Sequence, residues 1–213
     1  MRFLLAVILA TAAACGGKPP PPTRGVVEAD LGAWKFRRFQ PLLDIEVWVA
    51  DNTAQAFAGS YVSAAAEARG QIKNTDIVNV FVTRYAKDDG IVRETVRLAR
   101  RLAAEKGYRV DEAKIAGTRA LTINGNDESW VLWPAKLHVV KVGGVGRTDV
   151  PEALVEEYAD RYPSQLPGGA LEGALPPGPG DKPASERPAY DPSNPKPDME
   201  KYDPDAVKLP AKK

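Results

Sequence analysis

Between residues 25 and 165 the chain alternates short runs dense in β-branched residues with longer runs of helical period. Residues 45–49 and 77–83 carry the strongest strand pattern, each bounded by polar turns. Between them, residues 54–69 place Phe57, Tyr61, Val62 and Ala65 at helical spacing, and the many alanines suit a helix lying close on a sheet. A second helix is expected from about residue 90 to 106. Its apolar stripe is Ile91, Thr95, Leu98, Ala99 and Leu102, while Arg93, Glu94, Arg97, Arg100, Arg101 and Glu105 fall mostly on the other side. Asp88 and Asp89 precede it, and basic residues followed by Gly107 close it, as the helix dipole and a glycine cap favour. The arginines read as a solvated helix face rather than an anion site.

The pattern then changes to a strand meander. Residues 118–123 lead into Asn124-Gly125, a hairpin signal, and the chain returns through residues 129–133. Pro134 is expected to break that run and residues 136–142 to form a further strand. A last helix should start near Asp149, with Pro151 in its first turn and Glu152 completing a capping box, and end before Pro163. Val47, Trp48 and Val49 match Val80, Phe81 and Val82 at an offset of 33 residues, which suggests two βα units ahead of the meander. The expected fold is α+β: a single mixed or antiparallel sheet with helices on one face, similar to ferredoxin-like sheets.

Alternation within these strands gives the main binding expectation. If Ile45, Val47 and Val49 face the helices, Glu46 and Trp48 face away; likewise Val78, Val80 and Val82 point in while Asn79, Phe81 and Thr83 point out. Trp130 and Trp133 are three residues apart, so they take opposite faces and one of them joins the outer one. Trp48, Phe81, Trp130 and Trp133 are therefore candidates for a partner-binding face, since contiguous exposed aromatics mark interaction surfaces. The alternative is that the segment carrying Trp34 and Phe36, or the last helix, covers this face as a second core layer.

Both ends differ from this middle. Of 19 prolines, four lie at 19–22 and twelve from Pro163 onward, with only Pro41, Pro134 and Pro151 between. The tail mixes Pro, Gly, Asp and Lys and has too few large apolar residues to offset its ordering entropy, so it is expected to be disordered. Within it Tyr190-Asp191-Pro192 recurs as Tyr202-Asp203-Pro204, either a docking peptide or chance repetition in a biased composition. At the other end, Arg2 precedes an apolar run from Phe3 to Ala10, too short to span a bilayer of roughly 30 Å. It reads as a signal peptide.

The small residues Ala12-Ala13-Ala14 directly before Cys15 resemble the lipobox of bacterial lipoproteins, with Ala12 where leucine is commonest in that family. The resemblance implies a diacylated Cys15 holding the protein to the lipid bilayer, and Gly16 in place of aspartate implies the outer membrane, facing the periplasm. The layout is thus a signal peptide (1–14), a lipidated cysteine with a proline-rich tether (15–24), an α+β domain (25–165) and a disordered proline-rich tail (166–213).

Composition removes several function classes. Lys+Arg is 29 against Asp+Glu 28, too balanced to hold a nucleic-acid backbone. One Cys and one His exclude a structural zinc cluster and an intramolecular disulfide, and neither metal-ligand spacing nor a cofactor motif occurs. His138 lies mid-strand between Leu137 and Val139 and reads as a partly buried structural histidine. Gly143-Gly144-Val145-Gly146-Arg147 lacks the remaining residues of either nucleotide fingerprint and reads as a plain connection. The expectation is a non-catalytic module that binds an envelope protein or a copy of itself. The alternative is a periplasmic hydrolase or small-ligand-binding enzyme using His138 or the glycine segment.

Overall fold

A computed structural model describes residues 18–175 and two short strands beyond them, Ala189–Tyr190 and Asp203–Val207. The signal peptide, Cys15 and most of the tail lie outside the described residues. The elements run β1 (Trp34–Leu42), β2 (Ala54–Ser63), α1 (Ala64–Arg69), β3 (Ile77–Tyr85), α2 (Ile91–Ala104), β4 (Tyr108–Ile115), β5 (Thr118–Gly125), β6 (Glu128–Ala135), β7 (His138–Val145) and α3 (Glu152–Arg161). The strands β1 to β7 form one sheet in the order β1-β2-β3-β7-β6-β5-β4, every neighbouring pair antiparallel. The two short strands, β8 (Ala189–Tyr190) and β9 (Asp203–Val207), pair with each other in parallel.

The fold is α+β with a single antiparallel sheet, as expected, but its helices cover both faces. Val78, Val80, Val82, Val131, Trp133, Val140 and Val142 pack with Leu154, Val155, Tyr158 and Tyr162 of α3 and its cap, together with Val26, Val27 and Leu31 of the amino-terminal segment. The alternate residues Leu121, Ile123, Trp130, Leu132 and Val139 pack with Ile91, Val96, Leu98 and Ala99 of α2. The element order also departs from the β-α-β-β-α-β order of a ferredoxin-like sheet: α2 carries the chain from β3, near the middle, to β4 at the far edge, and a hairpin meander returns to β3.

Two segments take forms opposite to the expected ones. Residues 54–63 are strand β2, not helix, and only Ala64–Arg69 is helical. β2 is enclosed between β1 and β3 and largely buried, so its sequence carries no polar and apolar alternation, and its ladder contacts override alanine's helix preference. Gly59 belongs to this packing, since a Cβ there would lie 3.3 Å from Val26 Cβ. Residues 45–49 are irregular, not a strand, so the two-copy βα pattern is absent. They cross over the sheet and are caught by side chains: Val47 and Val49 are buried, and the Tyr85 hydroxyl donates to the Val47 carbonyl.

The meander forms with small shifts. Its β5–β6 turn is Asn126-Asp127, both at positive φ (49° and 61°), the geometry of a type I′ hairpin, directly after the expected Asn124-Gly125. Pro134 stays inside β6 because β5 pairs with β6 only as far as Leu132. The Pro134 carbonyl accepts from Gln165 N instead, and the side of the strand that lacks an N–H meets no ladder donor requirement there. α3 ends before Pro163 as expected but starts at Glu152, with Pro151 as its N-cap rather than in its first turn, and Glu152 accepts from Ala116 N rather than closing a capping box.

The packed chain also continues ten residues past the expected domain end at 165. Leu166 and Ala170 are buried against the α2 face. Arg100 donates to the carbonyls of Ala170 (2.6 Å) and Gly173, and Glu112 accepts from the backbone N–H groups of Gly169 (3.0 Å) and Leu171 (2.7 Å). Part of the α2 arginine face is therefore a clasp for this segment rather than a solvated surface.

Candidate functional site

The four candidate aromatics separate into three environments. Trp133 is fully buried on the α3 face, where its indole N–H donates to the Tyr162 carbonyl at 2.8 Å, so it belongs to the core and leaves the proposed binding face. Phe81 and Trp130 share the opposite face, as their parity requires, with ring centres 5.6 Å apart. That face is not open: α2, residues 43–49 and residues 166–175 cover it, and Trp130 is only 5% exposed. Trp48, 68% exposed, stands on the irregular segment above the sheet rather than in it, near Leu43, which is fully exposed in the same segment.

Under that segment lies a cavity of about 270 Å³ lined by Leu42, Asp44, Ile45, Glu46, Ala56, Phe81, Thr83, Trp130, Val139 and Lys141. Its floor comes from the sheet and its lid from residues 42–46. Lys141 extends from β7 over Trp130, its Nζ 4.3 Å from the ring centre, and pairs with Glu46 Oε1 of the lid at 2.6 Å. The ammonium thus rests on an aromatic face and is held by a carboxylate from the irregular 43–49 segment. The Trp130 indole N–H is fully buried and has no hydrogen-bond partner among the described residues. An unpaired buried donor costs about 1–3 kcal/mol, so its persistence marks a place where packing alone does not explain the arrangement.

β7 is shaped to admit the Trp130 ring. A Cβ at Gly143 would come 2.1 Å from the Ser129 carbonyl oxygen and 2.8 Å from the Trp130 ring, so only glycine permits this pairing. Gly143 and Gly144 are therefore strand residues, and the glycine segment is not a phosphate loop. Arg147 is buried beyond it and committed to the Thr75 and Asp149 carbonyls and the Asp149 carboxylate.

The α3 face holds a different aromatic group. The Tyr158 hydroxyl accepts from Val27 N (2.9 Å) and lies 2.8 Å from the Tyr61 hydroxyl, which donates to the Val27 carbonyl; the Tyr162 hydroxyl donates to the Gly25 carbonyl. Burial pushes Tyr61 up to about 12 and raises Tyr158 and Tyr162 as well, so all three stay neutral hydrogen-bonding groups. His138 packs edge-on against Tyr162 at 4.9 Å, and burial, helped by the Arg84 charge, lowers it to about 4. It is a half-buried neutral histidine, as its sequence position suggests.

A second, larger hollow of about 800 Å³ opens beside the start of α2, between Asp88, Asp89, Arg93 and the backbone of residues 167–175. Among the described residues no group of three or more His, Cys, Asp or Glu side chains is placed to hold a metal, and no helix is long and apolar enough to cross a membrane. No protein family, curated protein or solved structure matches this chain.

The Glu46–Lys141 pair is the part of this site that the strand pattern alone does not reveal. A signal was present all the same: Lys141 is a single charge set among Val139, Val140 and Val142 in an otherwise apolar strand. A lysine so placed must either reach solvent or find a carboxylate.

Proposed function

We propose that the chain is a bacterial envelope lipoprotein, anchored through acylated Cys15 and facing the periplasm from the outer membrane, whose α+β domain is a non-catalytic protein-interaction module. The observation that carries the anchor is the only cysteine of the chain, placed directly after Ala12-Ala13-Ala14 at the end of a short apolar run. Two or three acyl chains give lasting attachment, where one gives only marginal binding. The tether is short. Gly25 and Val27 are tied to Tyr162, Tyr158 and Tyr61, and Lys18 already pairs with Asp160 of α3, so the roughly ten residues from Cys15 reach at most about 35 Å even when released and fully extended.

Partner contact is assigned to the 43–49 segment rather than to the sheet. Trp48 and Leu43 are exposed there while Val47 and Val49 are buried on either side of Trp48, an arrangement that supports an apolar prominence presented between two buried neighbours. A second copy of the chain and a different envelope protein remain the two partner classes.

The test is made in a bacterial host. Cys15→Ser should abolish fatty-acid labelling and release the protein from membranes; a variant still labelled and membrane-bound refutes the anchor. A photo-crosslinking residue at position 48 should give one discrete adduct, of either partner class, that the same residue at Glu156, on the solvent side of α3, does not. Equal, diffuse labelling from both positions refutes the interaction surface.

A further inference from the structure

We propose that the 270 Å³ cavity beneath the 42–46 lid is a binding site for a small organic acid with an apolar body, and that Glu46 occupies the acid's place on Lys141 when the site is empty. The inference goes beyond the protein-interaction reading and does not depend on the anchor.

Size sets the first limit. The cavity holds the volume of about nine water molecules at ~30 Å³ each, just below the range of pockets that take drug-sized ligands, so its occupant is small. The lining sets the second. Leu42, Ile45, Ala56, Phe81, Trp130 and Val139 are apolar and include two aromatic walls in mutual contact, which favour a compact hydrocarbon or ring.

Charge sets the third limit. Lys141 is the one cation among the lining residues, and its side chain is mostly buried, 16% exposed. A buried ammonium needs a counter-charge, and here the counter-charge comes from a side chain that is 41% exposed and belongs to an irregular segment. Glu46 can leave Lys141 for solvent at little cost, whereas Lys141 has no comparable freedom. A ligand carboxylate can take the same position, leaving Glu46 hydrated. The Trp130 face is already occupied by the Lys141 ammonium, so a cationic ligand is excluded from the position an anion fits. Asp44 also lines the cavity, but it is exposed, and solvent and salt screen its repulsion.

The test uses the full chain carrying Cys15→Ser and three probes that share one body: 3-phenylpropionate, 3-phenylpropan-1-ol and 3-phenylpropylamine, followed by titration calorimetry and tryptophan fluorescence. The acid should bind saturably, with a dissociation constant below about 1 mM, at least about tenfold tighter than the alcohol, and the amine should not bind. Lys141→Met should weaken the acid at least about tenfold. Glu46→Gln should strengthen it several-fold by removing the internal competitor. Binding of the amine as tight as the acid, weaker acid binding in Glu46→Gln, or no binding of any probe at about 10 mM would overturn the proposal. Loss of the position-48 crosslink with acid binding intact refutes only the protein-interaction reading, and the reverse outcome refutes only this one.

Discussion

On the face of the sheet covered by α3, every large aromatic side chain that buries a polar atom gives it a partner: Trp133 to Tyr162, Tyr158 to Val27 and Tyr61, Tyr162 to Gly25. On the face covered by α2, Trp130 buries an indole N–H with no partner among the described residues, beside a cavity closed by an irregular segment and a single ion pair. Both faces belong to the same seven strands, and Trp133 on one and Trp130 on the other are both buried. Burial therefore does not separate scaffold from site here. The separating property is satisfaction of the buried polar atoms and the regularity of what covers them. A helix and a hydroxyl-tied amino-terminal segment make a closed layer, whereas the 43–49 segment is attached at a few points and can be displaced locally.

Substitutions can break this contrast, and the largest effect is expected at Trp133. Trp133→Ala removes a fully buried ring and its hydrogen bond, and should lower stability by about 3–5 kcal/mol in urea unfolding. Tyr158→Phe strands the Val27 N–H and should lose about 1–3 kcal/mol, whereas Trp130→Phe removes an unpaired donor and should lose less than about 1 kcal/mol. If the last two variants lose equal stability, the two faces do not differ in kind.

Acid gives a smaller effect on the α3 face. His138 titrates at about 4 in the folded protein against 6.5 when free, so the unfolded chain binds more protons between those values. Stability should be complete above about pH 6.5 and fall as the pH drops toward 4. The ring is partly exposed, so solvent screening limits the loss to about 1–2 kcal/mol. His138→Gln should flatten this part of the pH profile, and an unchanged slope would show that other groups produce it.

The sequence pattern made face assignment more legible than backbone form. The parity of Trp130 and Trp133, and of Val80 and Phe81, places each on its correct side because strand alternation is fixed by backbone geometry. The in-and-out pattern of Val47, Trp48 and Val49 is also correct as burial, although residues 45–49 form no strand: β-branched composition reports a half-buried extended segment and cannot say whether a ladder partner is available. β2 was not legible, because a strand buried on both sides by alanine, glycine and tyrosine has no amphipathic period of its own. The clasp of residues 166–175 was hidden in proline- and glycine-rich composition, where Leu166 and Ala170 are buried, Leu171 and Leu175 pack beside them, and Arg100 and Glu112 supply the hydrogen bonds. Of the site, the aromatic pair was visible and the Glu46–Lys141 contact was not, since it joins positions 95 residues apart.

Hydrogen exchange of the two indole N–H groups, resolved by NMR in the full chain carrying Cys15→Ser, tests the difference between the faces most directly. The Trp133 N–H, bonded to Tyr162 beneath α3, should exchange only through global unfolding. The Trp130 N–H should exchange through local opening of the 42–49 segment, at least about 100-fold faster, and Glu46→Gln should speed it further. Equal protection of the two indoles, unaltered by Glu46→Gln, would contradict the account.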